Sequence, residues 1–180
     1  MKLLNRSGEE IPVRTLSSCR SLAIYPGSFN PLHEGHKGIY DMLSKDRYHV
    51  VFELSRSRYQ KSAYTESEIA ALSAQFKGFA ELLITDAPLF SQKRDLLRQY
   101  DPCWIMGYDT AKRWIDENRS ADPEEWKRIA KMKVILVGRL INGVYYDPHD
   151  LLTGQEPFYY TIYHYRNDIS STQIREDSRK

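Results

Sequence analysis

Short, continuous apolar runs alternate along this chain with longer stretches in which apolar residues recur every three or four positions. Leu22-Ala23-Ile24-Tyr25, His49-Val50-Val51-Phe52-Glu53-Leu54, Leu82-Leu83-Ile84-Thr85, Cys103-Trp104-Ile105-Met106-Gly107 and Lys133-Val134-Ile135-Leu136-Val137-Gly138 are the runs. They predict strands over 21–26, 49–54, 82–85, 103–107 and 133–138, buried on both faces. Helical spacing covers about 34–46, 65–77, 90–100, 110–117 and 123–131. Two of these helices carry start signals: Thr65 stands three residues before Glu68 as a capping box, and Asp122 precedes Pro123 as an N-cap before a first-turn proline. The aromatic and β-branched run from Phe158 to Tyr165 suggests a late strand whose tyrosines half cover the sheet, and Ser170 opens a last helix. Residues 1–20 are polar and irregular, a loose lead-in or a short extra hairpin, which leaves 21–180 as one domain without internal repeats. The alternation defines an α/β chain: a Rossmann-like open parallel sheet with helices on both faces.

In such a sheet the ligand sits at the carboxyl ends of the strands. That rule gathers the loops 27–36, 55–64, 107–113 and 138–147 into one crevice. The first is the most telling. Gly27-Ser28-Phe29-Asn30-Pro31-Leu32-His33-Glu34-Gly35-His36 runs from a strand end through a Gly/Ser/Asn/Pro turn into a helix start. The turn lets the backbone N–H groups of Gly27, Ser28 and Phe29 approach an anion, and the helix N-terminus adds its positive end. His33 and His36, on either side of Gly35 and three apart, can face the same anion. Phe29 could pack on a nucleotide or in the core.

A second phosphate-binding pattern, Ile169-Ser170-Ser171-Thr172-Gln173-Ile174-Arg175, lies near the other end. Ser171 and Thr172 suit a helix N-cap, with or without a ligand, and Arg175 one turn on could close over phosphates as a charged fork. Arg139 follows a strand directly and is a further triphosphate candidate. Together these residues describe an enzyme that handles a nucleoside triphosphate.

Composition narrows the class. A net charge of +2 over 180 residues, without a basic tract, offers no nucleic-acid surface. Cys19 and Cys103 lack metal-type spacing, and no His/Cys/Asp cluster suggests a protein-bound metal. No apolar stretch approaches the roughly 20 residues needed to span a bilayer, and no secretory leader is visible. Cytoplasm is the expected location, or nucleus if the source is eukaryotic, and homo-oligomerisation is left open.

The two phosphate motifs, about 135 residues apart, resemble the nucleotidylyltransferase superfamily. Its pattern is GxFxPxHxGH after the first strand and an ISSTxIR-type segment at a late helix start. The opening is most similar to nicotinamide or nicotinate mononucleotide adenylyltransferases, with Leu32 in place of a second proline. The resemblance implies attack of an acceptor phosphate on the α-phosphorus of ATP, with the acceptor a pyridine mononucleotide and pyrophosphate leaving. His33, His36 and Arg175 would then be catalytic. Gly107-Tyr108-Asp109 resembles the family's G-x-D segment, where the glycine admits the nucleotide and the aspartate accepts from a ribose hydroxyl; a helix cap is the plain reading of Asp109. By the same likeness Lys61 would reach phosphates and Trp114 would stack on the pyridine ring, against plainer readings as a solvated loop residue and a core residue. The acidic Thr65-Glu66-Ser67-Glu68 departs from the arginine-containing segment usual in the family. Mg²⁺ carried by the substrate's phosphates is implied as cofactor. The same superfamily includes cytidylyltransferases for choline phosphate or glycerol phosphate and phosphopantetheine adenylyltransferases. A non-catalytic nucleotide-binding module is the alternative from another class. Class I aminoacyl-tRNA synthetases share the H-x-G-H signature but are much longer and carry a second, lysine-rich one.

Overall fold

Eight strands form one sheet in the order β10-β7-β6-β3-β4-β5-β1-β2 in this computed structural model, which describes residues 1–58, 61–121, 123–141 and 143–166. The central strands are β3 (Leu22–Pro26), β4 (His49–Ser55), β5 (Leu82–Thr85), β6 (Cys103–Gly107), β7 (Lys133–Val137) and β10 (Tyr159–Tyr163). All five pairings among them are parallel. From β3 the order proceeds outward to β4 and β5 on one side and to β6, β7 and β10 on the other. The switch point is therefore between β3 and β6, where an open α/β sheet leaves a crevice at its carboxyl edge.

Alternation along β3 divides the core. Ala23 and Tyr25 face α1 (Glu34–Lys45) and α2 (Glu66–Ala74), packing with Ile39, Leu43, Ile69, Leu72 and Phe76. Leu22 and Ile24 face the other layer, with Leu97 of α3 (Phe90–Leu97), Ala111, Trp114 and Ile115 of α4 (Tyr108–Ala121), and Ile129 just past α5 (Pro123–Arg128). Each such apolar side chain gains about 1.5–3 kcal/mol on burial, so both layers hold the sheet from which the crevice loops emerge.

Three elements correct the sequence expectation, and one decides between its alternatives. Of the two readings of the first twenty residues, the extra hairpin is the one found: β1 (Lys2–Leu4) and β2 (Glu10–Ile11) extend the sheet antiparallel beside β5. Leu3 and Leu16, 0% and 2% exposed, anchor this stretch in the core. The loop expected over 138–147 contains a second hairpin, β8 (Arg139–Ile141) and β9 (Val144–Tyr146), with Gly143 at φ +77° in its turn. Asn142-Gly143 is a strong hairpin signal that the apolar-run reading passed over. Finally, α4 begins at Tyr108, directly off β6 and two residues earlier than expected. The late tyrosine run forms edge strand β10, whose Tyr159 and Tyr160 are exposed rather than covering the sheet.

Candidate active site

β3 ends at Pro26, and residues 27–33 carry the chain along the carboxyl edge into α1. The Gly27 N–H continues the sheet ladder, donating to the Glu53 carbonyl at 3.0 Å. It is therefore committed to the fold rather than open to an anion, which corrects its assignment as an amide donor. Gly27 has no side chain because the Phe29 ring lies against it: a Cβ there would stand 2.5 Å from Phe29 Cζ. Phe29 has φ +44° and is 2% exposed. Its ring meets those of Tyr25, His36, Phe52 and Phe76 edge-on at 5.1–5.7 Å. Those contacts seat the side chain, on a backbone conformation that bulky residues rarely adopt. Phe29 is thus the plug that seats the loop in the core, not a platform for a nucleotide. Ser28 beside it is exposed, and neither the Ser28 nor the Phe29 amide is hydrogen-bonded to a described residue.

The helix start is closed by the two histidines. His33 is the N-cap of α1, and its Nδ1 accepts from the Gly35 N–H at 3.1 Å. His36 Nδ1 accepts in return from the His33 N–H at 3.4 Å. This reciprocal box is usually made by Ser or Thr with Glu; here imidazoles form it, and Gly35 serves as the buried amide donor between them. Since both Nδ1 atoms accept, the hydrogen-bond pattern assigns both ring protons to Nε2. The rings stack with centroids 3.7 Å apart and planes 30° from parallel. Tyr25 and Phe29 edge against His36 and fix its plane. Two N–H donors are thereby preset side by side at a helix N-terminus.

Their charge state is also fixed. Burial, then the positive charge of Arg139, hold His33 below the usual imidazole range. His36 is pushed down to about 3, first by burial, then by His33 and Arg139. The pair is neutral at neutral pH and donates as uncharged imidazole.

Across the switch point, Gly107 at the end of β6 pairs in register with Val137 at the end of β7. A Cβ on Gly107 would meet no atom within 4 Å, so this glycine borders open space. Asp109, in the first turn of α4, forms an ion pair with Arg139, the first residue of β8. The adjacency of β6 and β7 explains why residues thirty apart meet. His33, His36, Asp109 and Arg139 thus converge on one crevice.

Other expected residues stand elsewhere. Trp114 is 6% exposed and packed among Phe90, Trp126 and Phe158. A pyridine ring could stack on it only by displacing one of those rings, so burial rather than a ligand explains this tryptophan. Lys61 is exposed in the loop after β4, its N–H reaching the Arg58 carbonyl at 3.4 Å. The basic groups of that loop are engaged locally: Arg56 pairs with Glu66, and Arg58 lies 4.1 Å over the Tyr64 ring with Nε on the Ser62 carbonyl. Glu66 of the acidic helix start thus pairs with one base of the preceding loop, while Glu68 completes the cap by accepting from the Thr65 N–H at 2.7 Å. Ser171, Thr172 and Arg175 lie outside the described residues.

Two further features escaped the sequence. Gln75, at the C-terminal end of α2, donates from Nε2 to the Phe29 carbonyl at 3.1 Å and accepts at Oε1 from the Leu32 N–H at 2.8 Å. Only its position beside the buried stripe of Ile69, Leu72 and Phe76 hinted at this. Beneath the crevice, Glu53 and Lys93, 1% and 5% exposed, form a buried pair. Lys93 Nζ reaches both Glu53 oxygens at 2.7–2.8 Å and the Ala87 carbonyl at 2.6 Å, and Thr85 Oγ1 donates to the same carboxylate. The signal was a charge inside the apolar strand 49–54, although its partner could not be read from the chain.

Among the described residues, no three His, Cys, Asp or Glu side chains group to hold a metal ion, and no helix is long and apolar enough to cross a membrane. A six-stranded parallel array with a histidine-capped helix at its switch point defines a nucleotidylyltransferase-type α/β fold. The chain belongs to the cytidylyltransferase-like family, whose model matches residues 24–177. Among solved structures it is similar to Plasmodium falciparum nicotinic acid mononucleotide adenylyltransferase complexed with NaAD, at 18% identity and a TM-score of 0.56, covering 87% of this chain and 82% of that one. The same enzyme complexed with APC matches at 17% identity and a TM-score of 0.57, with the same coverage. At these identities the likeness is one of fold. The sequence has no match among curated proteins.

Proposed function

We propose that this protein transfers the adenylyl group of ATP to the phosphate of a pyridine mononucleotide, releasing pyrophosphate. One observation carries the reading: the stacked His33–His36 pair, each Nδ1 spent on a backbone amide and each Nε2–H left as a donor. An oxygen of the acceptor phosphate attacks the α-phosphorus, a new P–O bond forms, and the α–β bridging oxygen leaves with its bond pair as pyrophosphate. The nucleophile is already ionised, so no general base is needed. The protein contributes position and charge stabilisation. Both imidazoles donate to triphosphate oxygens, and an anion against them favours the proton that burial otherwise refuses. The Ser28 and Phe29 amides supply further donors. Arg139 exchanges its Asp109 partner for phosphate oxygens, freeing Asp109 to accept from a ribose hydroxyl. Arg175, Ser171 and Thr172 clamp the β- and γ-phosphates, and Lys61 meets the acceptor's phosphate. Mg²⁺ would arrive with the triphosphate, bound mostly by its phosphate oxygens and water, and would supply charge neutralisation there.

The pyridine acceptor draws support from the fold neighbours, nicotinic acid mononucleotide adenylyltransferases with NaAD or APC bound. The cytidylyltransferase-like family match favours a second reading, CTP as the donor. Pyrophosphate release with Mg²⁺ separates the two. ATP and CTP are each offered against nicotinamide and nicotinate mononucleotides, choline phosphate, glycerol phosphate and phosphopantetheine. Release with ATP and a pyridine mononucleotide is expected. Release only with CTP or another acceptor overturns the substrate while keeping the chemistry, and silence with retained nucleotide binding favours a binding module.

A further inference from the structure

We infer that Gln75 is the positioning residue of the phosphate-binding loop, a side-chain clamp that sets the histidine pair from outside the motif. The inference rests on the adenylyl-transfer reading for its kinetic consequence, though not for its structural one. The Gln75 amide is used at both ends: Nε2 donates to Phe29 O at 3.1 Å, and Oε1 accepts from Leu32 N at 2.8 Å. The Gln amide offers a donor and an acceptor in one planar group at any pH, and Asn, which shares it, is one methylene shorter. The two contacts bracket Asn30-Pro31 and end one residue before the His33 cap. Gln75 itself is fixed by its place at the C-terminal end of α2, where Nε2 also reaches the Leu72 carbonyl at 3.3 Å.

The geometry has a clear consequence. Phe29 at φ +44° needs an external hold, and its ring contacts fix the side chain but not the direction of the following peptide. Gln75 holds the Phe29 carbonyl toward the end of α2. It also takes the Leu32 N–H, so the backbone entering His33 has one direction. His33 N, in turn, is the donor that sets the His36 ring. Two hydrogen bonds joined by the Leu32–His33 peptide thus run from Gln75 to His36. Loss of the first link leaves the helix and core intact but lets the donors drift from the geometry at which they work.

The test compares Gln75→Met, which keeps length and shape without hydrogen bonds, with Gln75→Glu. Gln75→Met is expected to lower kcat about 10-fold with KM within about 2-fold, because misplacement of donors costs the chemical step more than binding. Gln75→Glu at pH 8 sets a carboxylate against the Phe29 carbonyl and is expected to be at least as slow. At pH 5.5 its activity relative to the unaltered protein rises, since a protonated carboxyl can donate to Phe29 O and accept from Leu32 N like the amide. A structural role alone gives no such pH rescue. Wild-type kcat in both variants overturns the proposal, as does a kcat loss that tracks a fall in Tm and ignores pH. Ring ¹⁵N shifts of His33 and His36 give a readout apart from turnover. The proposal expects unprotonated Nδ1 in the unaltered protein and averaged nitrogens in Gln75→Met. If the unaltered protein releases no pyrophosphate, the functional reading fails and those ring signals alone decide the clamp: averaging upholds it, and unchanged signals sink it.

Discussion

On the β3 side of the crevice, four backbone amides are consumed within the fold. The amides of Gly27, Leu32, His33 and Gly35 donate to Glu53 O, Gln75 Oε1, His36 Nδ1 and His33 Nδ1. On the β6–β7 side, the charged pair is partly open to solvent: the Asp109 side chain is 52% exposed and that of Arg139 25%, and Val144 and Tyr146 of the neighbouring hairpin are exposed. The contrast separates two tasks. Donors that must meet developing charge gain most from being fixed before the reaction, since nothing then reorganises at the moment of transfer. A pair whose carboxylate faces solvent is screened there, so a ligand that brings its own anion can exchange the partners of Arg139. The preset half suits the chemistry and the exchangeable half suits the choice of ligand.

The largest expected break of this contrast is in stability. Phe29→Ala empties the plug beneath the loop and is expected to cost about 3–5 kcal/mol, as for other buried aromatics. Tyr146→Ala, on an exposed ring that touches Tyr108 at 5.3 Å, is expected to cost less than about 1 kcal/mol. Urea unfolding of both variants checks the pair. Equal losses would mean that the hairpin is as integral to the fold as the loop.

Kinetics should divide along the same line. His36→Ala removes a preset donor and is expected to lower kcat about 10²-fold with a smaller effect on KM. Arg139→Gln, which alters an exchangeable partner, is expected to raise the triphosphate KM about 10-fold and lower kcat less. Initial rates across nucleotide concentration decide it. A kcat defect in Arg139→Gln as large as in His36→Ala would erase the division of labour.

The sequence carried the preset half further than the other. Gly27, Pro31, His33 and His36 are local signals, since the turn, the cap and the helix start lie within ten residues. The parallel sheet was legible for the same reason, each strand being a continuous apolar run. What bends that loop into place is not local. Gln75 lies more than forty residues away on another helix, and Lys93 meets Glu53 only after β4 and α3 have packed. Trp114 could be read either as a stacking ring or as core from its spacing, and only the positions of Phe90, Trp126 and Phe158 settle its burial. Asp109 and Arg139 meet because β6 and β7 are neighbours, an order that apolar runs alone do not specify.

The effect of pH on stability is the most direct probe of the preset pair. His36 is held at about 3 in the folded protein against an ordinary imidazole value of 6.5, by burial first and by His33 and Arg139 after it. Between those two values the unfolded chain binds a proton that the native ring refuses. Stability therefore falls as pH drops below about 6.5, with a slope of at most about 1.4 kcal/mol per pH unit from one such group. His36→Gln removes that contribution, so its urea midpoint should fall less between pH 7 and pH 4.5 than that of the unaltered protein. Arg139→Gln removes one of the lesser causes and should lie between the two, nearer the unaltered protein. That ordering would show the exposed half acting on the buried half through charge alone. Identical slopes in all three proteins would mean that the ring protonates freely in the fold, and that the two histidines are not held as neutral donors.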